Sequence, residues 1–296
     1  MQKKLLIIGG SGFIGGNIKK VAEKQGWNIY IAGRMNKLRL ESTIWRDIDI
    51  TDEKSIRSVI KLVNPDVVIN GAAIADIDKA EEFMETAWKV NVEGAKFAAK
   101  VCSEFGIKYI FISSDAVFDG QGRYYNEDDI VKPVNYYGYT KSEAEKAVLS
   151  SDPLAIVIRI SLVLGYSVSD GNTFLTWLEE RLKEGNKVFC PSEEVRTPVD
   201  VITLSECIME LAESSYTGII HIGSTDCVDR LNLTKKLAGA MGYNVDLIYP
   251  QPDGIIRRVP RHKNGSISIE IAKKILKTPL LSVDEGINRI LQKRNN

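Results

Sequence analysis

The chain is poor in the residues that build metal centres and redox pairs. Its 296 residues include two histidines, His221 and His262, and four cysteines. There is no H-x-x-x-H pair, and Cys102, Cys190, Cys207 and Cys227 never fall at C-x-x-C spacing. A zinc site is not expected, no other metal is assigned, and the thiols read as reduced and mostly buried. Net charge is lacking too, because 39 Lys and Arg offset 39 Asp and Glu. With no global field of either sign, nucleic acid and membrane surfaces are not expected partners. No apolar run approaches the length of a membrane span. The sequence opens directly on a strand, so no signal peptide and a cytoplasmic location are expected.

What is present is a glycine-rich turn. The apolar run Lys4–Ile8 leads into Gly9-Gly10-Ser11-Gly12-Phe13-Ile14-Gly15-Gly16. Glycines at 9, 12 and 15 suit a tight turn, a close approach of backbone to a pyrophosphate, and a helix closing onto its strand. The amides from Ser11 through Phe13 and Ile14 then head a helix whose dipole favours a phosphate.

Apolar runs and helical stretches alternate through the first half. Strands are expected at Lys4–Ile8, Asn28–Ala32, Thr43–Arg46, Asp66–Asn70, Tyr109–Ser113 and Ala155–Ile160. Helices are expected at Gly12–Lys24, Asp52–Val63, Met84–Phe105 and Val134–Leu149, with Asp52 as an N-cap. This rhythm predicts an α/β fold, a doubly wound parallel Rossmann sheet. After Gly165 the pattern changes. A polar loop Ser167–Asn172 precedes helices at Phe174–Lys183, Val201–Glu213, Leu231–Met241, Ile269–Leu276 and Ser282–Gln292, with strands at Lys187–Cys190 and Gly218–Ile222. Residues 1–165 are read as the dinucleotide-binding domain and 166–296 mainly as a smaller C-terminal substrate-binding lobe. Residues 197–222 are expected to return to the cofactor sheet.

The second strand ends at Arg34, where an NAD site usually carries Asp or Glu for the ribose 2′-hydroxyl. No acid occurs before Glu41, and Lys37 and Arg39 follow Arg34. That charge suits a 2′-phosphate, so NADPH is the expected cofactor, with NADH as the alternative. Arg34 reads otherwise as a solvated loop residue. Asp49 fits the adenine amino group and Ile50 the ring face, although the same segment is also a helix-capping turn. Ala72 and Ala73 end the fourth strand with small residues that would let a dinucleotide lie against backbone.

Tyr137 and Lys141 sit four apart on one helix face, downstream of Ser113-Ser114. A phenol titrates near pH ~10, and a cation one turn away would lower that value toward a useful range. Tyr137 is thus the expected proton donor, Ser114 a holder of the substrate oxygen, and Lys141 a hydrogen-bond donor to the nicotinamide ribose.

At GGSGFIGG, DIDITD, NPDVVINGAAIADIDKAE, VNVEGAKFAA, IFISSDAVFDGQG and NYYGYTKSEAEK the chain resembles the extended short-chain dehydrogenase/reductases acting on nucleotide sugars. Within them it resembles the dTDP-4-dehydrorhamnose reductase family along nearly its whole length. The resemblance implies NADPH-dependent reduction of the 4-keto group of dTDP-4-dehydro-L-rhamnose. It implies catalysis by Ser114, Tyr137 and Lys141, with Gly9, Gly12 and Gly15 on the pyrophosphate. Asn91 and Ser113 join the cofactor set, and Ser114, Asp115, Arg196 and Arg261 join the substrate set. A homodimer is a further implication. The chain departs from the family pattern at Ala116, Leu162 and Leu164, where reductases carry aromatics, and at His262, where their R-P-K-N-x-S-L segment has proline. Alternatives are a nucleotide-sugar dehydratase or epimerase, or an NADP-binding regulatory subunit similar to that of methionine adenosyltransferase. Against dehydration stands Ala116, where dehydratases place a glutamate. The loop Asp119–Asp129 reads either as a lid or as a plain connection.

Overall fold

The computed structural model describes residues 2–34, 44–168, 173–252 and 259–294. Seven strands form one sheet: β1 (Lys4–Ile8), β2 (Asn28–Gly33), β3 (Ile44–Asp47), β4 (Val67–Asn70), β5 (Lys108–Ser114), β6 (Ile156–Ile160) and β7 (Gly218–Ile222). They lie in the order β7-β6-β5-β4-β1-β2-β3, and each neighbouring pair is parallel. The first six match the expected strands within a residue or two, although Thr43 lies outside the described residues. β7 supplies the expected return.

Side-chain alternation along β1 explains the two-faced burial. Leu5 and Ile7 enter a core beneath the helices Phe13–Lys24 and Val201–Glu213. Leu6 and Ile8 enter the opposite core, beneath Glu53–Val63 and Gly94–Glu104. The chain leaves β1 toward β2 on one side and later returns to β4 on the other. The crevice at the carboxyl ends of β1 and β4 is therefore the topological switch point, where ligands of such sheets bind.

Met84–Phe105 is not the single helix expected. It divides into Met84–Trp88, a π-helical turn Lys89–Glu93 and Gly94–Glu104. The wider turn carries Asn91 inward to 1% exposure. Gly94 then lets the helix pass over Ile50, whose Cγ1 would lie 2.9 Å from a Cβ there. A short helix Ile77–Glu82, capped by Asp76, precedes it and has no counterpart among the expected elements. Beyond β6, Leu175, Leu178, Leu182, Leu233, Leu237 and Ile287 close a third core that holds the C-terminal helices together. Of the expected loop Ser167–Asn172, residues 169–172 lie outside the described residues.

Candidate active site

The glycine turn is built as its spacing requires. Gly9 has φ +79°, and a Cβ on it would stand 2.8 Å from the Ala72 nitrogen. A Cβ on Gly15 would stand 2.6 Å from the Gly10 Cα and 2.7 Å from the Gly9 oxygen, so helix and turn touch backbone to backbone. Gly12 is the N-cap of Phe13–Lys24 and supplies no side-chain cap. The first helical amides are left to partners on the cleft side.

A cleft of about 390 Å³ opens at this turn, lined by Gly9, Ser11, Gly12, Arg34, Asp49 and Ile50, and closed by Ala72, Ala73 and Ile74. Phe13 and Ile14 instead turn their side chains inward. Phe13 packs toward Gly165 and Ile14 onto the core. Arg34 is exposed at the cleft rim, while Lys37, Arg39 and Glu41 lie outside the described residues. The Asp49 carboxylate accepts from the Thr51 hydroxyl at 2.7 Å and the Thr51 amide at 2.9 Å. Those bonds, and then the Arg34 charge, hold its carboxyl below the usual range. Asp49 is thus both a turn-capping residue and a wall of the cleft.

Two buried asparagines shape the cleft floor. Asn70 receives the Ala72 amide at 3.0 Å and donates to the Tyr109 hydroxyl at 2.8 Å. Asn91 receives the Ile74 amide at 2.8 Å and donates to the Ile74 carbonyl at 3.2 Å and to Thr140 Oγ1 at 2.9 Å. Asn91 therefore ties the cleft loop to the tyrosine helix, and its side-chain partners are protein atoms.

Tyr137 and Lys141 lie on the helix Tyr136–Ser151, which Asn135 caps by accepting the Gly138 amide at 2.9 Å. A Cβ on Gly138 would stand 2.1 Å from the Ala116 carbonyl oxygen. Only glycine lets this helix, which carries Tyr137, press onto the turn that Ser114 caps after β5. Burial pushes the Tyr137 phenol up to about 12, opposed by the Ser114 hydroxyl and helped by the Asp115 carboxylate. The expected lowering of the phenol by Lys141 is not found. The lysine is 2% exposed, donates to the Ile112 carbonyl at 2.6 Å and stands 4.0 Å from the Phe111 ring centroid. Burial brings its ammonium down to about 7, against the pull of Glu145. An amine that sheds its proton near neutrality is no steady cation for a phenol.

Ser113 differs from its neighbour. Its hydroxyl donates to Glu145, which forms a buried ion pair with Arg159 at 2.8 Å. The Ser113 side chain is thus committed to the framework under Lys141 rather than turned to the cleft. Glu145 was legible only as a residue four beyond Lys141 on the same helix. Arg159 was legible only as a charge inside an apolar strand.

On the other side of Ser114, Asp115 is 5% exposed and gathers partners from three segments. Ser161 donates to its Oδ2 at 2.7 Å, Arg196 Nε lies at 3.6 Å and His262 Nε2 at 3.4 Å. Burial alone would raise its carboxyl, but His262, Arg196 and Ser161 together hold it below the usual range. Arg196 is occupied as a clamp. Its guanidinium donates to the carbonyls of Val195 at 2.8 Å, His262 at 3.0 Å and Lys263 at 3.1 Å. Neither Asp115 nor Arg196 has the free polar edge expected of a first contact with substrate. Arg261 is placed differently, half-buried and bonded to the exposed Asp78 at 2.7 Å. The loop Asp119–Asp129 is stitched to the C-terminal segment, with the Tyr125 amide donating to the Ser266 carbonyl at 2.9 Å.

Among the described residues no group of three or more His, Cys, Asp and Glu could hold a metal, and no helix is long and apolar enough to cross a membrane. The fold and the site define an oxidoreductase of the extended short-chain type, with a glycine-floored cleft at the switch point of its sheet. The chain belongs to the family described as RmlD substrate binding domain, whose model matches residues 3–296. It is 30% identical over 97% of its length to 84% of the dTDP-4-dehydrorhamnose reductase of Mycolicibacterium smegmatis. It is 27% identical over 93% of its length to 83% of methionine adenosyltransferase 2 subunit beta from Xenopus laevis. Its fold superposes on the crystal structure of a Bacillus anthracis dTDP-4-dehydrorhamnose reductase in complex with NADP, with TM-score 0.89 and 23% identity, covering 99% of this chain and 100% of that one.

Proposed function

We propose that this chain is an NADPH-dependent reductase of the 4-keto group of a nucleotide-linked 6-deoxysugar, converting dTDP-4-dehydro-L-rhamnose to dTDP-L-rhamnose. The observation that carries the reading is the glycine-floored cleft, with Ser114 at the end of β5 and Tyr137 and Lys141 on the helix pressed against the turn that follows it, in a member of this family. NADPH fits the residues present. The glycine contacts leave no room for a Cβ where a pyrophosphate approaches, and Arg34 brings a guanidinium rather than a carboxylate to the rim. Gly9, Ser11, Gly12 and the amides of Phe13 and Ile14 would hold the pyrophosphate, Arg34 the 2′-phosphate, Asp49 and Ile50 the adenine, and Ala72 and Ala73 the ribose region.

When bound, NADPH supplies the hydride. Tyr137, held protonated by its buried setting, gives its proton to the developing alkoxide. Ser114 would orient the reacting oxygen against Tyr137, and Lys141 would donate to the nicotinamide ribose. Asn91 and the Ser113–Glu145–Arg159 set hold these groups in register from behind. Arg261, half-buried and paired among the described residues with an exposed aspartate and a carbonyl, is the candidate for the sugar-nucleotide diphosphate. Residues 1–165 with the return strand form the dinucleotide-binding domain in this reading, and the third core supports the substrate lobe. A homodimer and a cytoplasmic location complete the proposal.

The test is NADPH consumption with dTDP-4-dehydro-L-rhamnose, wild type beside Tyr137→Phe. Turnover lost in the variant supports the reading. A wild type that binds NADPH but reduces no 4-keto sugar overturns it. The second reading, an NADP-binding regulatory subunit, is favoured by the likeness to the methionine adenosyltransferase subunit and by Ala116, Leu162 and Leu164. Stoichiometric co-purification with a synthetase is its test.

A further inference from the structure

The helix that carries Tyr137 is held at its first turn by a residue from outside it. The first amides of a helix find no carbonyl within it. Asn135 serves the Gly138 amide with its Oδ1 at 2.9 Å and the Tyr139 amide with its carbonyl at 3.0 Å. The Tyr136 amide, at the head of the helix, donates instead to Glu81 Oε2 at 3.0 Å. Glu81 lies 55 residues earlier, on the short helix Ile77–Glu82. We propose that Glu81 is a positioning residue for the proton donor: its carboxylate fixes the first turn of the Tyr137 helix against the segment that leaves the cofactor cleft. The proposal rests on the reductase reading and adds to it a residue that touches no reacting atom.

The short helix starts close to the cleft. Ile74 lines the cleft, and Asp76 caps the helix by accepting the amides of Asp78 at 3.0 Å and Lys79 at 3.1 Å. Asp78 and Glu81 are three apart and share a face. From that face Asp78 holds Arg261 at 2.7 Å, and Glu81 holds Tyr136. Asn135 closes the joint, because its Nδ2 donates to the Pro260 carbonyl at 3.1 Å. Three parts of the chain thus meet at one place: the segment beyond the cleft wall, the head of the Tyr137 helix and the C-terminal segment. A carboxylate suits the first of these bonds, since the amide it accepts lies at the positive end of the helix dipole.

Tyr137 lies between two tethers. One is Glu81, on the amide just before it. The other is Asn91, which donates to Thr140 Oγ1 at 2.9 Å, while that hydroxyl donates to the Tyr137 carbonyl at 2.8 Å. The contact of Gly138 with the Ala116 carbonyl sets how closely the turn approaches β5, but a contact does not stop it sliding or rotating. Without Glu81 the first turn can pivot about Thr140, and the phenol moves with it. The cleft wall does not depend on this bond, because Asn70 holds Ala72 and Asn91 holds Ile74. The loss therefore falls on proton delivery and not on NADPH binding. A misplacement on the order of 1 Å can cost about 10²-fold. Asn135 still grips the turn, so a fall of about tenfold in kcat is expected.

The experiment compares wild type with Glu81→Ala, which removes the acceptor, and Glu81→Gln, which keeps an oxygen in its place. Glu81 and Tyr136 are half-buried, so water can reach the vacated amide and both variants are expected to fold. Hydrogen exchange read by NMR should show the Tyr136 amide about tenfold less protected in Glu81→Ala and largely restored in Glu81→Gln. The Tyr137 ring resonance, isotope-labelled at Cζ and assigned with Tyr137→Phe, should shift in Glu81→Ala and return in Glu81→Gln. Neither readout needs turnover, so their failure is distinct from failure of the reductase reading, which the wild-type NADPH assay reports. In that assay kcat should fall about tenfold in Glu81→Ala and recover in Glu81→Gln, with sugar KM and NADPH affinity unchanged. Unaltered Tyr136 exchange overturns the proposal, and so does an unmoved Tyr137 resonance. A loss confined to KM or to NADPH affinity overturns it too, as does a glutamine variant no better than the alanine.

Discussion

Replacing Asn91 by alanine separates two roles that the sequence leaves fused, contact with the dinucleotide and bracing of the protein around it. The side chain makes three bonds, two to the Ile74 backbone and one to Thr140. Thr140 in turn donates to the Tyr137 carbonyl at 2.8 Å. Each bond contributes about 1 kcal/mol net. Ile74 is half-buried, so water can re-satisfy part of what is lost. The expected destabilisation is about 3 kcal/mol. Unfolding entropy of ~2.1 cal/mol/K per residue makes the slope about 0.6 kcal/mol/K for this chain, and the melting temperature should fall by about 5 °C. Scanning calorimetry gives that number, and NADPH fluorescence titration gives the affinity of the same samples. A brace predicts a clear loss of Tm, and a cost of Thr140→Val that is smaller when Asn91 is already alanine. An unchanged Tm with NADPH binding abolished would refute the bracing argument and make Asn91 a direct cofactor contact.

Further outcomes follow from the same geometry. Gly15→Ala drives a Cβ to 2.6 Å from the Gly10 Cα, so NADPH titration should show binding lost and calorimetry a destabilisation of about 1–3 kcal/mol. Arg34→Ala should weaken NADPH while leaving NADH unchanged, and equal losses for both would remove its 2′-phosphate role. Glu145→Gln strands Arg159 at 3% side-chain exposure, at a cost of about 3–5 kcal/mol read from urea unfolding. His221 is pushed down to about 3 by burial and by Arg159, against about 6.5 when unfolded. Its contribution to stability is present above pH ~6.5 and is lost as pH falls toward 3. The urea midpoint should drop across that window, and His221→Gln should flatten the slope.

Strand and helix periodicity, together with glycine and Tyr-x-x-x-Lys spacing, determined most of the scaffold. Short apolar runs between helices suit parallel strands buried on both faces, and Gly9, Gly12 and Gly15 each meet another backbone. The same patterns found the return strand β7, because its run Gly218–Ile222 is apolar enough to need a sheet. Long-range facts were beyond them. The π turn at Lys89–Glu93 depends on what lies under Asn91, and a periodicity of 3.6 continues through it unmarked. The direction of the Tyr137 shift was also hidden. Spacing put a cation one turn away, but only the packing showed that burial weakens that cation and that the Asp115 carboxylate acts on the phenol. Asp115, Ser161, Arg196 and His262 are 46, 81 and 147 residues apart from the first to each of the others. Sequence fixes which groups can ionise. Tertiary structure alone sets their distances and their access to water, and with them which of the groups holds its proton.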